Sequence, residues 1–413
     1  MRWNISRLLL CANVLLACKG GVAQSPPSPK RVRTDIAVLE KMLVKTPNDP
    51  VLLYNLAADY AELRDRTKTI DLLRKVAELP GGLDPEEYRG FQFLRSDPVF
   101  KTLVAEIRRK NPSVVHSTAA FTIKERDLFP EGMAYDGIRH RVYAGSVKRK
   151  IVWTDATGAT GDLVSAGQGG LAFVLGLHID PRRRRLWAVS SALPGIGNNP
   201  KPIDGLFVYD LERRALAKIL PLPATAGGYL NDVVISAEGM AYTTNTSTGA
   251  IYRDSKGAAT LQEFLPQGSV RGANGIALSD DDQILFVAGD FGISRVELKT
   301  KSIHMLDKAD PSIVDASIDG LYWFHGSLVG IQNAIHPGRV VRFYLNQNRT
   351  RIERSEILET YNPIFENPTT GSIDGNSLLF FANPQLHKVE FGKPLPPVSD
   401  LHDITVLRLE LSR

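Results

Sequence analysis

Four side chains stand at equivalent places in four similar phrases. They are Glu131 in Phe129-Pro130-Glu131-Gly132, Asn231 in Leu230-Asn231-Asp232-Val233, Asn274 in Ala273-Asn274-Gly275-Ile276 and Asp319 in Ile318-Asp319-Gly320-Leu321. Each offers a carboxylate or carboxamide oxygen. Two carboxylates and two amides gathered in one place are costly to bury without partners. A hard divalent cation resolves that cost, because Ca²⁺ takes oxygen ligands and two carboxylates balance its charge. Such an ion can polarise a carbonyl as a Lewis acid. Asp319, with Glu131 facing it, is then the candidate catalytic carboxylate that positions or deprotonates an attacking water.

Each phrase opens a β-hairpin, and the hairpins must bring the four residues together. In the clearest one, an apolar strand follows Asn274-Gly275, Asp280-Asp281-Asp282 makes the turn, and Ile284 to Ala288 returns. These runs are too short for helices and are bounded by turn residues. Leu175 and Thr370 open two further hairpins, so openers recur at intervals of 43–56 residues. A strand-only period of this length predicts propeller blades. The expected fold is mainly β, a six-bladed β-propeller over residues 119–413, with a small N-terminal α-helical domain. Innermost strands line one channel, so equivalent openers face a common axis. Strand-like Ala119 to Lys124 and the alternating Ile404 to Leu411 should complete one blade between them and close the ring.

In these motifs the chain resembles the calcium-dependent lactonase propellers of the senescence-marker-protein, gluconolactonase and paraoxonase superfamily. The resemblance covers roughly residues 121–413 and includes Thr369-Thr370-Gly371-Ser372-Ile373 and Leu386-His387-Lys388 near the end. It implies a Ca²⁺ site on Glu131, Asn231, Asn274 and Asp319 and hydrolysis of a small-molecule ester or lactone. Two positions depart from the paraoxonase pattern. Leu175 stands where those enzymes carry a histidine, and Gly132 where they carry a second acid. The first puts a histidine-assisted mechanism in doubt. The second argues against a second, structural ion on Asp232.

Residues 1–23 read as a signal peptide: Arg2 and Arg7, the apolar Leu8 to Ala17, then Gly21-Val22-Ala23. Leu15-Leu16-Ala17-Cys18 also resembles a lipobox, so cleavage after Ala23 and acylation at Cys18 are both open. The expected location is periplasmic or secreted. The two cysteines, Cys11 and Cys18, both lie in this segment, so the folded part contains no disulfide. Residues 24–31, with Pro26, Pro27 and Pro29, read as a linker. Residues 32–112 read as a helical, tetratricopeptide-like domain from Leu53, Leu56, Ala57, Tyr60, Leu73, Val76 and Pro80. It serves either as a groove for a protein partner or as a cap on the propeller. The change of periodicity near Pro112 makes it read as a separable module. The alternative to a hydrolase is accordingly a non-catalytic propeller and helical-repeat binding protein.

The formal charge is +5, and residues 1–23 contribute three basic residues and no acid, leaving +2 without them. That near-neutral balance excludes an electrostatic case for nucleic acid, and no apolar run is long enough for a transmembrane helix. Arg182-Arg183-Arg184-Arg185 reads as a solvated hairpin tip. His325, His336 and His387 have no metal-ligand spacing. No serine-hydrolase elbow, zinc-protease helix or P-loop occurs. Tyr229, Asp290 and His178 are candidate substrate-pocket residues. The gluconolactonase branch places an arginine where this chain has Tyr229, two before Asn231. One hydroxyl and a ring do not replace a five-donor fork. Gluconolactone should therefore be turned over no faster than in buffer, which a continuous pH-stat assay checks.

Overall fold

The computed structural model describes residues 28–193, 201–390 and 393–411. The leader, Cys18 and most of the linker lie outside them. The described strands form six sheets, each built mainly of antiparallel neighbours in sequence order. Blades I to V span 130–164, 173–221, 230–265, 276–305 and 318–360, and blade VI begins at Gly371–Asp374 and Ser377–Phe381. Its third strand is the C-terminal Ile404–Glu410 and its outermost strand is Thr118–Ile123. Chain ends thus close the ring as the alternation of Ile404 to Leu411 predicted. Blade V gains a fifth strand, Asp307–Lys308, parallel to Arg351–Thr360.

Alternation explains the packing. Large side chains such as Phe207, Phe286, Phe343, Phe380 and Phe381 are fully buried. Hydrophobic clusters run from sheet to sheet, one joining Phe129, Phe173, Trp187 and Leu230 across blades I to III. The arginine tip between blades I and II is more ordered than a solvated turn. Arg184 pairs with Asp136 at 2.7 Å and Glu212 at 2.8 Å, Arg183 with Asp180 at 2.9 Å, and Arg185 with Asp210.

Four helices precede the ring: α1 (Pro29–Leu43), α2 (Pro50–Glu62), α3 (Arg66–Glu78) and α4 (Pro98–Lys110). Side chains of Ser28, Asp49, Asp65 and Asp97 cap their N-termini. Helix α1 starts at Pro29, within the stretch read as linker, because Ser28 caps it and proline suits the first turn. Helices α2, α3 and α4 share one core with Val314, Ala316, Ala334 and Ile335 of the propeller. Phe291 of blade IV packs against the cluster between α1 and α2. Polar ties join the same faces: Asp84 N–H donates to the His336 carbonyl at 2.8 Å, Lys308 to Asp49 at 3.1 Å, and Arg339 to the Gly81 carbonyl. The module inferred from the change of periodicity is therefore continuous with the propeller in packing. Cutting it away would expose those four apolar residues.

Between α1 and α2, Asp35 and Asp59 are both 2% exposed. Burial, then the charges of Asp35 and Glu62, push the Asp59 carboxyl up to about 8. Its pKa is raised on folding, so the folded state holds a proton that the unfolded state releases from about pH 4 upward. Stability from this group is full below that value and falls as pH rises toward about 8. Asp59→Asn should flatten the pH dependence of the melting temperature and raise it on the alkaline side, as calorimetric scans across this range would record.

Candidate functional site

The openers reach the axis through a repeated distortion. Register slips between Pro130 and Met133, Val174 and Leu177, Leu230 and Val233, and Ile318 and Leu321. A bulge at this place re-aims the side chain it carries. Glu131, Leu175, Asn231 and Asp319 all sit on these bulges. Asn274 differs: it lies two residues before the strand Ile276–Leu278 and is fixed by its N–H on the Ala288 carbonyl at 2.9 Å.

Glycine follows five of the six openers, and at Gly132 and Gly275 the next blade's backbone is already there. A Cβ on Gly132 would lie 1.7 Å from the Leu175 carbonyl oxygen, and one on Gly275 would lie 2.5 Å from that of Asp319. Blade III carries Asp232 instead. Its carboxylate has room because the neighbour is Gly176, whose added Cβ would meet Asp232 Oδ1 at 2.6 Å.

Glu131, Asn231, Asn274 and Asp319 are all 6–8% exposed. Asn231 Nδ2 donates to Thr246 Oγ1 at 2.9 Å, a bond that does not use Oδ1. Asn274 Oδ1 is buried without a hydrogen-bond partner. Asn333 Nδ2 donates to Asp319 Oδ2 at 2.5 Å. Burial pushes the Tyr229 hydroxyl up to about 12, and the charges of Glu131, Asp319 and Asp290 add to the rise. Burial also raises Tyr322, helped by Asp232, Asp319 and Glu131. Glu131 of blade I and Asp319 of blade V are thus felt at both hydroxyls. Asp290 pairs with Arg271 at 3.1 Å and is not the ordinary exposed turn aspartate its loop suggests.

His178 is not brought to this group. It lines a cavity of about 530 Å³ formed by the inner strands of all six blades, which includes Asp232, Tyr322 and Thr370 but none of Glu131, Asn231, Asn274 and Asp319 and extends to the hairpin turns at Gly137, Asp282 and Gly375. Burial pushes the imidazole down to about 4, so it is neutral. Asp232, accepting from Val233 N–H at 2.8 Å and Ile276 N–H at 3.3 Å, is pushed up by burial to about 7.

Asn333 and Thr246 are the functional neighbours that sequence reading passed over. Both follow the strand that returns from an opener's hairpin, and both bond that opener. A polar residue just past the returning strand was the available signal. Asn333 also borders a cleft of about 810 Å³ between the helical segment and blades V and VI.

Among the described residues no three histidine, cysteine, aspartate or glutamate side chains cluster as a metal centre. The quartet escapes that description because half of its donors are amides. Two carboxylates, two carboxamides and an orphaned buried Asn274 oxygen fit a hard cation.

No protein-family model matches the chain, and no curated protein matches it. Among solved structures it is similar to a gluconolactonase from Xanthomonas campestris, at 15% identity and TM-score 0.47, covering 72% of this chain and 88% of that one. A calcium-binding regucalcin from Agrobacterium tumefaciens gives 16% and 0.47, covering 72% and 94%. The PQQ-bound aldose sugar dehydrogenase from Streptomyces coelicolor gives 14% and 0.48, covering 72% and 98%. These likenesses do not single out an activity, since a lactonase and a dehydrogenase score alike.

The blade contact at Gly132 has a measurable consequence. Gly132→Ala forces its methyl into the Leu175 carbonyl, and backbone cannot yield as a side-chain end can. It should cost about 2–4 kcal/mol in denaturant unfolding, in the range of severe overpacking, whereas Gly137→Ala, with one neighbour at 3.8 Å, should be nearly neutral.

Proposed function

We propose that the chain is a hydrolase of lactones or related esters, working at the propeller axis with Ca²⁺ on Glu131, Asn231, Asn274 and Asp319. The observation that carries this reading is the buried Asn274 Oδ1 without a hydrogen-bond partner, on an opener equivalent to those that carry two carboxylates and a second amide, all of them buried. Ca²⁺ bound there supplies Lewis acidity toward the substrate carbonyl. Asp319, oriented through Oδ2 by Asn333, receives a proton from the attacking water. The water oxygen bonds to the carbonyl carbon, the ester C–O bond breaks, and the proton passes to the departing alkoxide. Glu131 faces Asp319 as the second carboxylate. Tyr229, kept protonated by its raised pKa, is a neutral donor beside them.

The cleft beside Asn333 supports this reading over a purely binding role, since the residue that bonds Asp319 also borders a volume able to hold a small molecule. A docking groove on the helices lacks the apolar patch it needs. Of the exposed large apolar residues among those described, Val44 is the one in the helical segment. The tetratricopeptide-like pair α2 and α3 is on this reading a cap. We place the reaction outside the cytoplasm on the strength of residues 1–23.

Calorimetry on chelator-treated protein tests the site without relying on turnover. Calcium should bind with measurable heat and raise the melting temperature by mass action. Asn274→Ala should weaken binding by removing a neutral ligand. Asp319→Asn should retain the fold, weaken binding and abolish hydrolysis. Absence of both calcium heat and thermal shift would end the metal reading, and hydrolysis persisting in Asp319→Asn would remove that residue from its role.

A further inference from the structure

The cleft of about 810 Å³ has walls from three parts of the chain. One is the segment Glu87, Tyr88 and Arg89, which leads from α3 toward α4. A second is the loop from Asn333 to Gly338 in blade V. The third is the connection from Tyr361 to Pro368, which crosses into blade VI. Its inner end meets the axis on two sides. Asn333 bonds Asp319 Oδ2 at 2.5 Å, and Pro368 immediately precedes Thr369 and Thr370, whose hydroxyls both donate to the Glu131 carbonyl. Asn333 is thus shared between the cleft and Asp319, and Pro368 leads directly to the residues that hold the Glu131 backbone.

Its walls are held in place. His336 Nδ1 lies 3.1 Å from Glu87 Oε2 and joins the helical segment to blade V. That contact, more than any other, holds the Glu87 carboxyl below its ordinary range. Tyr361 OH donates to Asp84 at 3.1 Å, which ties the blade VI side to the helical segment as well. Phe365 packs edge-on against Phe380 at 5.8 Å. Tyr361 and Asn367 both hold left-handed backbone, with φ of 50° and 58°. Such conformations persist where surrounding structure enforces them, and they gather at ligand sites. Tyr88, Tyr361 and Phe365 supply aromatic faces in a volume of the size that holds drug-sized ligands.

Resting on the hydrolase reading above, we propose that this cleft is the acyl subsite of the axial centre. The helical segment is then a substrate wall, and the preferred substrates are esters with a bulky aromatic acyl group. Phenyl acetate reacts at the axis without filling the cleft. Phenyl naphthoate fills it.

The full chain and Glu87→Trp are compared on both esters, and the hydrolysis-resistant anilide N-phenylnaphthamide is titrated into each by calorimetry. Glu87 is exposed at its side chain, so the substitution tests the cleft rather than folding. The anilide should bind the unaltered chain and bind Glu87→Trp about tenfold more weakly, a loss of about 1.4 kcal/mol. KM for phenyl naphthoate should rise by the same factor while phenyl acetate is turned over unchanged. Anilide binding that weakens in the variant, with neither ester hydrolysed, would support the cleft as a ligand site and refute the hydrolase reading. Hydrolysis of both esters without anilide binding, or with a naphthoate KM unmoved by Glu87→Trp, would overturn the subsite and leave the hydrolase reading standing.

Discussion

Close contact between neighbouring blades at the axis is the constraint on which the site depends. The backbone carbonyl of an opener, or of the residue before it, is held by a hydroxyl from an adjoining blade. Ser191 donates to the Leu230 carbonyl at 2.7 Å, Thr246 to Ala273 at 2.6 Å, Thr244 to Asn274 at 2.9 Å and Thr369 to Glu131 at 3.3 Å. Tyr322 OH meets Gly371 N–H at 2.5 Å and joins blades V and VI in the same way. A donor set carried on such a ring cannot shift one member without disturbing the next. That is the rigid support a functional constellation requires. The pairing of Gly176 with Asp232 belongs to the same ring, because the missing Cβ in blade II admits a carboxylate from blade III. That carboxylate accepts backbone N–H groups from blades III and IV, so it joins them as well.

The helices extend this rigidity over one side of the same face. Asp84 is the joint. It is 2% exposed, and its Oδ2 accepts from Arg108 Nε at 2.6 Å and Tyr361 OH at 3.1 Å, while Oδ1 accepts the Glu86 N–H at 2.9 Å. A buried carboxylate costs stability unless it is paired and fully hydrogen-bonded, and here those bonds join α4 to a cleft residue. Glu359, fully buried in blade V, does similar work on the connecting chain by accepting from His116 and Ser117 N–H groups at 2.9 and 3.1 Å. The helical segment therefore fixes the cleft walls through specific polar ties as well as through its shared apolar core.

How much of this was legible follows from what kind of interaction each feature rests on. The six hairpins were readable because alternation and turn residues are local. Arg271 to Gly289 gives strands at Ile276–Leu278 and Ile284–Gly289 around the acidic turn it announces. The terminal strands were readable for the same reason. The four openers could be singled out because a repeated fold turns equal sequence position into nearness at one axis. Asn333 could not be found that way, since its importance lies in a side-chain bond to Asp319 and not in the repeat. The helical docking was hidden too. Val314, Ala316, Ala334 and Ile335 read as ordinary blade-end residues until α2 to α4 are laid on them. His178, three residues beyond the opener Leu175, lies further along the inner strand in the cavity that all six blades line.

The asymmetry of the ring bears on which groups can move protons there. Blades I, III, IV and V present Glu131, Asn231, Asn274 and Asp319, whereas blade II presents Leu175, and Thr370 of blade VI spends its hydroxyl on the Glu131 carbonyl. The opener of blade II is therefore apolar. The histidine of that strand, His178, lines the cavity along the inner strands and is held neutral by burial. Burial, and after it the carboxylates around them, pushes Tyr229 and Tyr322 upward, so both remain donors at neutral pH. On the hydrolase reading proposed above, proton acceptance at the axis falls to carboxylates. Of these, Asp290 is paired with Arg271, and Asp232 is turned to the backbone of blades III and IV. Asp319 combines its opener position with a bonded neighbour, Asn333, that also borders the cleft.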